Sequence, residues 1–237
     1  MRVVSLVPSL TETLLAFGVQ PVACTRFCEQ PTLPHVGGTK DPDIEAIVAL
    51  HPDLVLMDRE ENRLPDAEAL QAQGVEVHAT HVTSVADVAP MMQALVARLG
   101  LPAAPDLATE HDEDVDRALR VAERTAFVAI WRRPWMTISG ATYGSSLLES
   151  IGIANVFADA ATAYPTVMLA EVVERAPQLV LLPSEPYPFK QRHMKEIATA
   201  LPEAVIRLVD GQDLFWWGAR TSAARRRLAQ ILSGSPS

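Results

Sequence analysis

The chain has 237 residues, 49% of them apolar and 21% charged, with a net charge of −9. This is ordinary globular composition; it excludes a disordered chain, and no apolar run approaches the ~20 residues of a membrane span. Residues 1–100 hold six basic against thirteen acidic side chains, so most of the charge sits there. The clustered positive charge that grips nucleic acid or an anionic membrane is missing, and neither partner is expected.

Val3–Val7 predicts a first strand, and Ser9-x-x-Glu12 reads as the capping box of a helix reaching about Gly18. Val22–Thr25 predicts a second strand, and Ile44, Ile47 and Val48 form one stripe of a helix over Pro42–Leu50. Asp53–Met57 is a continuous apolar strand, as expected where both faces of a sheet are covered. A helix from Pro65 to Gln73, a strand over Val75–Thr80 and a helix from Ser84 to Leu99 complete the first half. This β-α-β alternation predicts an α/β fold with a parallel sheet.

Pro102 and Pro105 interrupt the pattern. From Asp106 to about Arg124 acids crowd the start and arginines the end, the order that complements a helix dipole. About nineteen residues would span roughly 28 Å, which suits either another crossover helix or a rigid spine between two lobes. The alternation then restarts: strand Ala126–Trp131, helix Tyr143–Ile151, helix Leu169–Arg175, strand Leu179–Leu182, helix Lys190–Ala200, strand Val205–Val209 and helix Ala219–Leu232.

An internal repeat favours two lobes. The run Ile47–Met57 overlays Val172–Leu182 as helix end, proline and a buried Leu-Val-Leu strand, each followed by an acidic loop. A second echo sets Leu14-Leu15 and Gly18-Val19 against Leu147-Leu148 and Gly152-Ile153.

Cys24 and Cys28 are too few for a disulfide framework. They read as small buried hydrophobes beside the second strand; a disulfide between them would suit an exported chain. His78 and His81 straddle a strand end, and no metal site is expected. A strand that starts at Arg2 leaves no room for a signal peptide, which predicts a cytoplasmic product, or a periplasmic one if the start is truncated.

Ligands of open parallel sheets bind beyond the carboxyl ends of the strands. Of thirteen aromatic residues, Phe27, Trp131, Trp135, Tyr187, Phe189, Phe215, Trp216 and Trp217 fall in such loops. They suggest either a stacking surface for a large flat ligand or rings that plug an interface as core. Arg26, Arg132, Arg133 and Arg220 could meet anionic or carbonyl groups. There is no G-x-G-x-x-G, P-loop or G-x-S-x-G and no nucleophile–base pair, so no catalysis is expected.

Ser5-Leu-Val-Pro-Ser-Leu-Thr-Glu-Thr13, Val36-Gly-Gly-Thr39, Pro52-Asp-Leu-Val-Leu56, Gly74-Val-Glu-Val77, Tyr143-Gly144, Asn155-Val-Phe157 and Pro177-Gln-Leu-Val180 together resemble the substrate-binding proteins of cobalamin and iron-siderophore importers. Trp131–Met136 with Gly140 and Tyr143 is similar to the cobalamin-binding, helical-backbone metal-receptor branch. The resemblance implies two Rossmann-like α/β lobes, 1–104 and 125–237, joined by one backbone helix, 105–124. It implies a non-enzymatic monomer that clamps a corrinoid or related metal chelate between its lobes and needs no cofactor of its own. The alternatives are an iron-siderophore or haem-type binder, or a cytoplasmic enzyme or chaperone that reuses the fold.

The expected ligand contacts are Phe27, Asp58, Glu60 and Asn62 in the first half. In the second they are Trp131, Arg133, Trp135, Tyr143, Glu185, Tyr187, Phe189, Trp216, Trp217 and Arg220. An ABC importer permease would be the partner. Docking members carry a glutamate on each lobe; the pattern puts the first at about Leu64, with Glu60, Glu61 and Glu185 nearby.

Overall fold

The computed structural model describes residues 1–102 and 124–233. The expected backbone helix lies outside them, save Arg124, which opens a strand. The chain divides into two compact units. One holds Met1–Val82, the segment from Val88 on and Trp217–Ala219; the other holds Thr83–Asp87, the second half as far as Trp216, and the chain from Arg220 on.

The first unit is built on β1 (Val3–Ser5), β2 (Ala23–Cys24), β3 (Leu54–Asp58) and β4 (Val77–Thr80). They form one parallel sheet in the order β2-β1-β3-β4, with Val4 opposite Ala23 on one side and Val55 on the other. The helices are α1 (Pro8–Ala16), α2 (Ile44–Ala49), α3 (Leu64–Ala72) and, from Val88 on, α4 (Val85–Leu99). All five residues of β3 are buried. Val4, Leu6, Ile47, Val55, Met57 and Leu70 form the core between sheet and helices, each such side chain worth about 1.5–3 kcal/mol on burial.

The second unit repeats the plan with β5 (Arg124–Val128), β7 (Ile153–Asn155), β9 (Leu179–Pro183) and β10 (Val205–Val209), ordered β10-β9-β5-β7 and again all parallel. A two-residue antiparallel pair, β6 (Trp135–Met136) with β8 (Thr166–Val167), is added to it. Its helices are α5 (Tyr143–Ser150), α6 (Leu169–Glu174), α7 (Gln191–Ala200), α8 (Gly211–Phe215) and α9 (Thr221–Ser233). Phe127 and Phe157 meet edge to face at 5.9 Å in a core shared with Val180, Leu182 and Ile197.

In each unit the first strand lies between the second and the third, and the fourth pairs outside the third. The repeat seen in the sequence therefore extends to topology. It extends to backbone detail as well. His51 after α2 and Ala176 after α6 occupy the same repeat position, and both take left-handed backbone, at φ 47° and 45°. Each follows a one-turn closure of its helix and precedes a proline that leads into the buried strand.

Three local expectations need correction. Ser9 does not cap α1: the helix starts at Pro8 with Val7 as an extended N-cap residue that makes no side-chain bond. Proline supplies the start because its fixed φ suits the first turn and its missing N–H is not needed there. Trp131 lies beyond β5 and only bridges Met136 across a tight loop. A short helix absent from the expected set precedes the last one: α8, with the Asp210 carboxylate accepting from the Gln212 N–H at 2.9 Å, while α9 takes the place expected of the final helix.

Candidate functional site

In the first unit the candidate residues lie in loops at the carboxyl ends of the parallel strands. The loop after β3 is drawn tight by Asn62, whose Oδ1 accepts from the Asp58 N–H at 2.8 Å. Its Nδ2 donates to the carbonyls of Leu6, at 3.2 Å, and Thr39, at 2.9 Å. Asn62 is buried, and its side chain holds the scaffold. Asp58 is buried too: Thr80 Oγ1 donates to it at 2.6 Å and the Glu60 N–H at 2.9 Å. Glu60 lies at the rim of this loop, where Lys40 Nζ donates to its carbonyl at 2.7 Å and His81 Nδ1 stands 4.0 Å from its carboxylate. Phe27 is 51% exposed, with the Arg26 guanidinium 4.8 Å from its ring centre.

Burial pushes the Asp58 carboxyl above the ordinary carboxylate range, against the hydrogen bonds from Thr80 and Glu60. A carboxyl raised in the folded state costs stability above its folded pKa, and the cost vanishes below the unfolded value of about 3.9. Asp58→Asn should therefore raise the melting temperature at pH 7, with the gain shrinking to nothing as pH falls below about 3.9. The replacement amide can donate to Thr80 Oγ1, whose own proton is within reach of the Met57 carbonyl at 3.1 Å. Melting both proteins across that range checks the sign.

In the second unit four rings gather beyond the ends of β5 and β9. Trp131 meets Tyr187 edge-on at 5.5 Å, Tyr187 leans on Phe189 at 4.7 Å, and Phe189 stacks parallel to Trp135 at 6.1 Å. The cluster is graded. Phe189 is 5% exposed and belongs to the core, Trp135 and Tyr187 pack against that core, and Trp131 stands 43% exposed. Arg133 is exposed beside them at φ 66°, before the cis peptide bond to Pro134. A second group lies beyond β10. Trp216 Nε1 donates to Glu185 Oε1 at 2.7 Å, and the Arg220 guanidinium stands 4.8 Å from the Trp216 ring centre. Gly211 makes this approach possible, since a Cβ there would lie 2.7 Å from the Glu185 backbone nitrogen.

The structure sets two further expected contacts in the interior, in addition to Asp58, Asn62 and Phe189. Tyr143 is buried, its hydroxyl 3.0 Å from Thr221 Oγ1. Trp217 is 5% exposed and belongs to the first unit, where the Ala219 N–H donates to Thr13 Oγ1 of α1 at 3.2 Å. The arginines are also engaged. Arg26 pairs with Asp41 at 2.9 Å, Arg132 with Glu196 at 2.6 Å, and Arg220 with Asp213 at 3.3 Å.

Asp213, which the sequence reading passed over, anchors the second group. It is 3% exposed and also takes a two-pronged contact from Arg227, at 2.5 and 2.7 Å. Asp210, the N-cap residue ahead of Gly211 at the start of α8, is the signal that marks this turn. Lys40 and Asp41 were passed over as well. Gly37-Gly38 before them flags a backbone crowded by neighbours, for a Cβ on Gly38 would lie 2.7 Å from the Arg26 guanidinium.

The periplasmic binding protein family model matches residues 3–201. The chain belongs to that family. The vitamin B12-binding protein of Yersinia pestis (strain Pestoides F) is 30% identical to this periplasmic binding protein over 192 residues, 76% of this chain and 69% of the relative. Among solved structures, the periplasmic vitamin B12 binding protein BtuF of Vibrio cholerae superimposes with a TM-score of 0.78 at 22% identity, over 98% of this chain and 96% of that one. The periplasmic heme-binding protein RhuT from Roseiflexus sp. RS-1 gives 0.84 at 21% identity, over 98% and 97%. These likenesses fix the fold as the two-lobed α/β binding-protein type.

Membership of a periplasmic family overturns the expectation of a cytoplasmic product. That expectation rested on a strand beginning at Arg2, and the position of a first strand carries no information about where a folded chain works.

Proposed function

We propose that this periplasmic binding protein captures a large, flat, partly apolar metal chelate of the corrinoid type and releases it chemically unchanged. The observation that carries the reading is the graded ring cluster of the second unit. Phe189 lies in the core, Trp135 and Tyr187 pack against it, and Tyr187 carries Trp131 at the surface. Pre-set rings lose little freedom on binding, so the apolar area a macrocycle covers converts more fully into affinity. The relative at 30% identity, named for vitamin B12, supports a corrinoid as the first candidate, and the solved heme-binding neighbour supports haem as the second. Trp131, Arg133, Trp135, Tyr187, Trp216 and Arg220 are the proposed contacts of the second unit, and Phe27 and Glu60 those of the first. Delivery to an ABC importer permease would follow from the family.

The test is to incubate the protein separately with cyanocobalamin, cobinamide, haem and a ferric siderophore, desalt each sample and record its absorption spectrum. Corrin bands that travel with the protein support the reading. Retention of haem alone moves the assignment to haem, and retention of none of the four removes it.

A further inference from the structure

The proposed ligand contacts make no use of the two cysteines of the first unit. Cys24 ends β2, and Cys28 follows the loop that carries Arg26 and Phe27. Both are free thiols, 0% and 4% exposed. One turn brings the second back toward the first: the Cys28 N–H donates to the Thr25 carbonyl at 3.1 Å, and Cys24, Cys28 and Leu33 pack as one small cluster. Two hydroxyls converge on a single sulfur, with Thr25 Oγ1 at 3.1 Å and Thr11 Oγ1 at 3.2 Å from Cys28 Sγ. The same Thr11 hydroxyl also stands 2.8 Å from Ser5 Oγ and 3.0 Å from the Val7 carbonyl, so the sulfur joins a small hydroxyl cluster at the start of α1. A thiol accepts hydrogen bonds poorly and a thiolate well, so this arrangement suits an ionised Cys28. Among the described residues no group of three or more metal-ligating side chains forms here or elsewhere.

We propose that Cys24 and Cys28 are a redox modification site that closes into a reversible disulfide at the root of the Arg26–Phe27 loop. The oxidant is an external disulfide, small or protein-borne. The Cys28 thiolate attacks one of its sulfurs; that S–S bond breaks, half leaves as a thiolate, and a mixed disulfide remains on Cys28. Cys24 then attacks the Cys28 sulfur, and its proton goes to the second departing thiolate. Two protein thiols lose two electrons and two protons, and one external disulfide becomes two thiols.

The roles follow from the surroundings. Hydrogen bonds from Cys24, Thr11 and Thr25 pull the Cys28 thiol down to about 6, which makes it the attacking group. The Cys24 proton is held by its neighbour and by burial, so Cys24 stays a thiol until Cys28 is capped. Closure would remove the Thr25 and Thr11 bonds to sulfur and draw in the loop that presents Phe27.

Trypsin cuts after Arg26, between the two cysteines, so only a disulfide can hold the flanking peptides together. The intact chain is exposed to oxidised glutathione, alkylated in denaturant, digested and mapped by mass spectrometry. The expected product is a linked Cys24–Cys28 peptide pair, two hydrogens lighter than the dithiol, that dithiothreitol separates. Cys24→Ser should retain glutathione on Cys28, and Cys28→Ser should leave Cys24 unmodified. Two alkylated cysteines in the intact chain, glutathione adducts that never resolve, or preferential capture at Cys24 would overturn the proposal. The map of the native chain decides even where a variant fails to fold.

Discussion

Replacing Asp213 by alanine is expected to lower the melting temperature of the second unit by roughly 6–12 °C. The carboxylate is 3% exposed and accepts from two guanidinium groups, Arg220 and Arg227. Removing one member of a buried ionic cluster leaves charge without its counter-charge, at a cost of about 3–5 kcal/mol. Arg227 is half exposed and water can re-solvate it, so the lower end, about 3 kcal/mol, applies; at about 2–4 °C per kcal/mol for a protein of this size the shift follows. The effect should reach beyond stability. Arg220 lies over the Trp216 ring, and Trp216 is tied to Glu185. Loss of the anchor should shift tryptophan emission to the red before the melt. Asp213→Asn keeps an acceptor for both arginines and should fall between parent and alanine variant. A melting point within about 2 °C of the parent for Asp213→Ala would mean that the cluster is worth no more than a surface ion pair.

What could be read from the sequence was what is local or continuous along the chain. β3 and β9 are buried on both faces, so each stands out as an unbroken apolar run. The helix–proline–strand repeat was visible because the physical demand, a chain reversal into a buried strand, falls on adjacent residues, and His51 and Ala176 show it being met in the same way. What stayed hidden depends on distant partners. β6 and β8 are two residues long and pair Trp135 with Val167, too short for any alternation to show. The partners of Arg26 and Arg132 lie 15 and 64 positions away, so basic residues that look available to a ligand are already committed. Trp217 follows Trp216 directly, yet it is buried in the other unit because Ala219 is fastened to α1. The aromatic loops were therefore found as a set, while the division of that set into core rings and surface rings needed the fold.

That division gives two rings of one cluster opposite tasks. Trp131→Ala should weaken binding of the retained corrinoid roughly 5–150-fold, because losing the burial of one large side chain is worth about 1–3 kcal/mol. Its melting temperature should stay within about 2 °C of the parent, since the ring is 43% exposed and leans on Tyr187 rather than on the buried core. Phe189→Ala should behave in the opposite sense. This ring is 5% exposed, stacks on Trp135 and touches Tyr187, so its removal leaves a cavity that costs about 3–5 kcal/mol. At about 2–4 °C per kcal/mol, the melting temperature should fall by roughly 6–20 °C. Its effect on affinity should be indirect, through the loosened Tyr187 and Trp135, and smaller in proportion to the stability lost. Calorimetric titration and thermal melts of both variants separate the roles. If Trp131→Ala binds as tightly as the parent and melts lower, the outer ring serves the fold just as Phe189 does, and the stacking surface proposed for the ligand is not where the ligand sits.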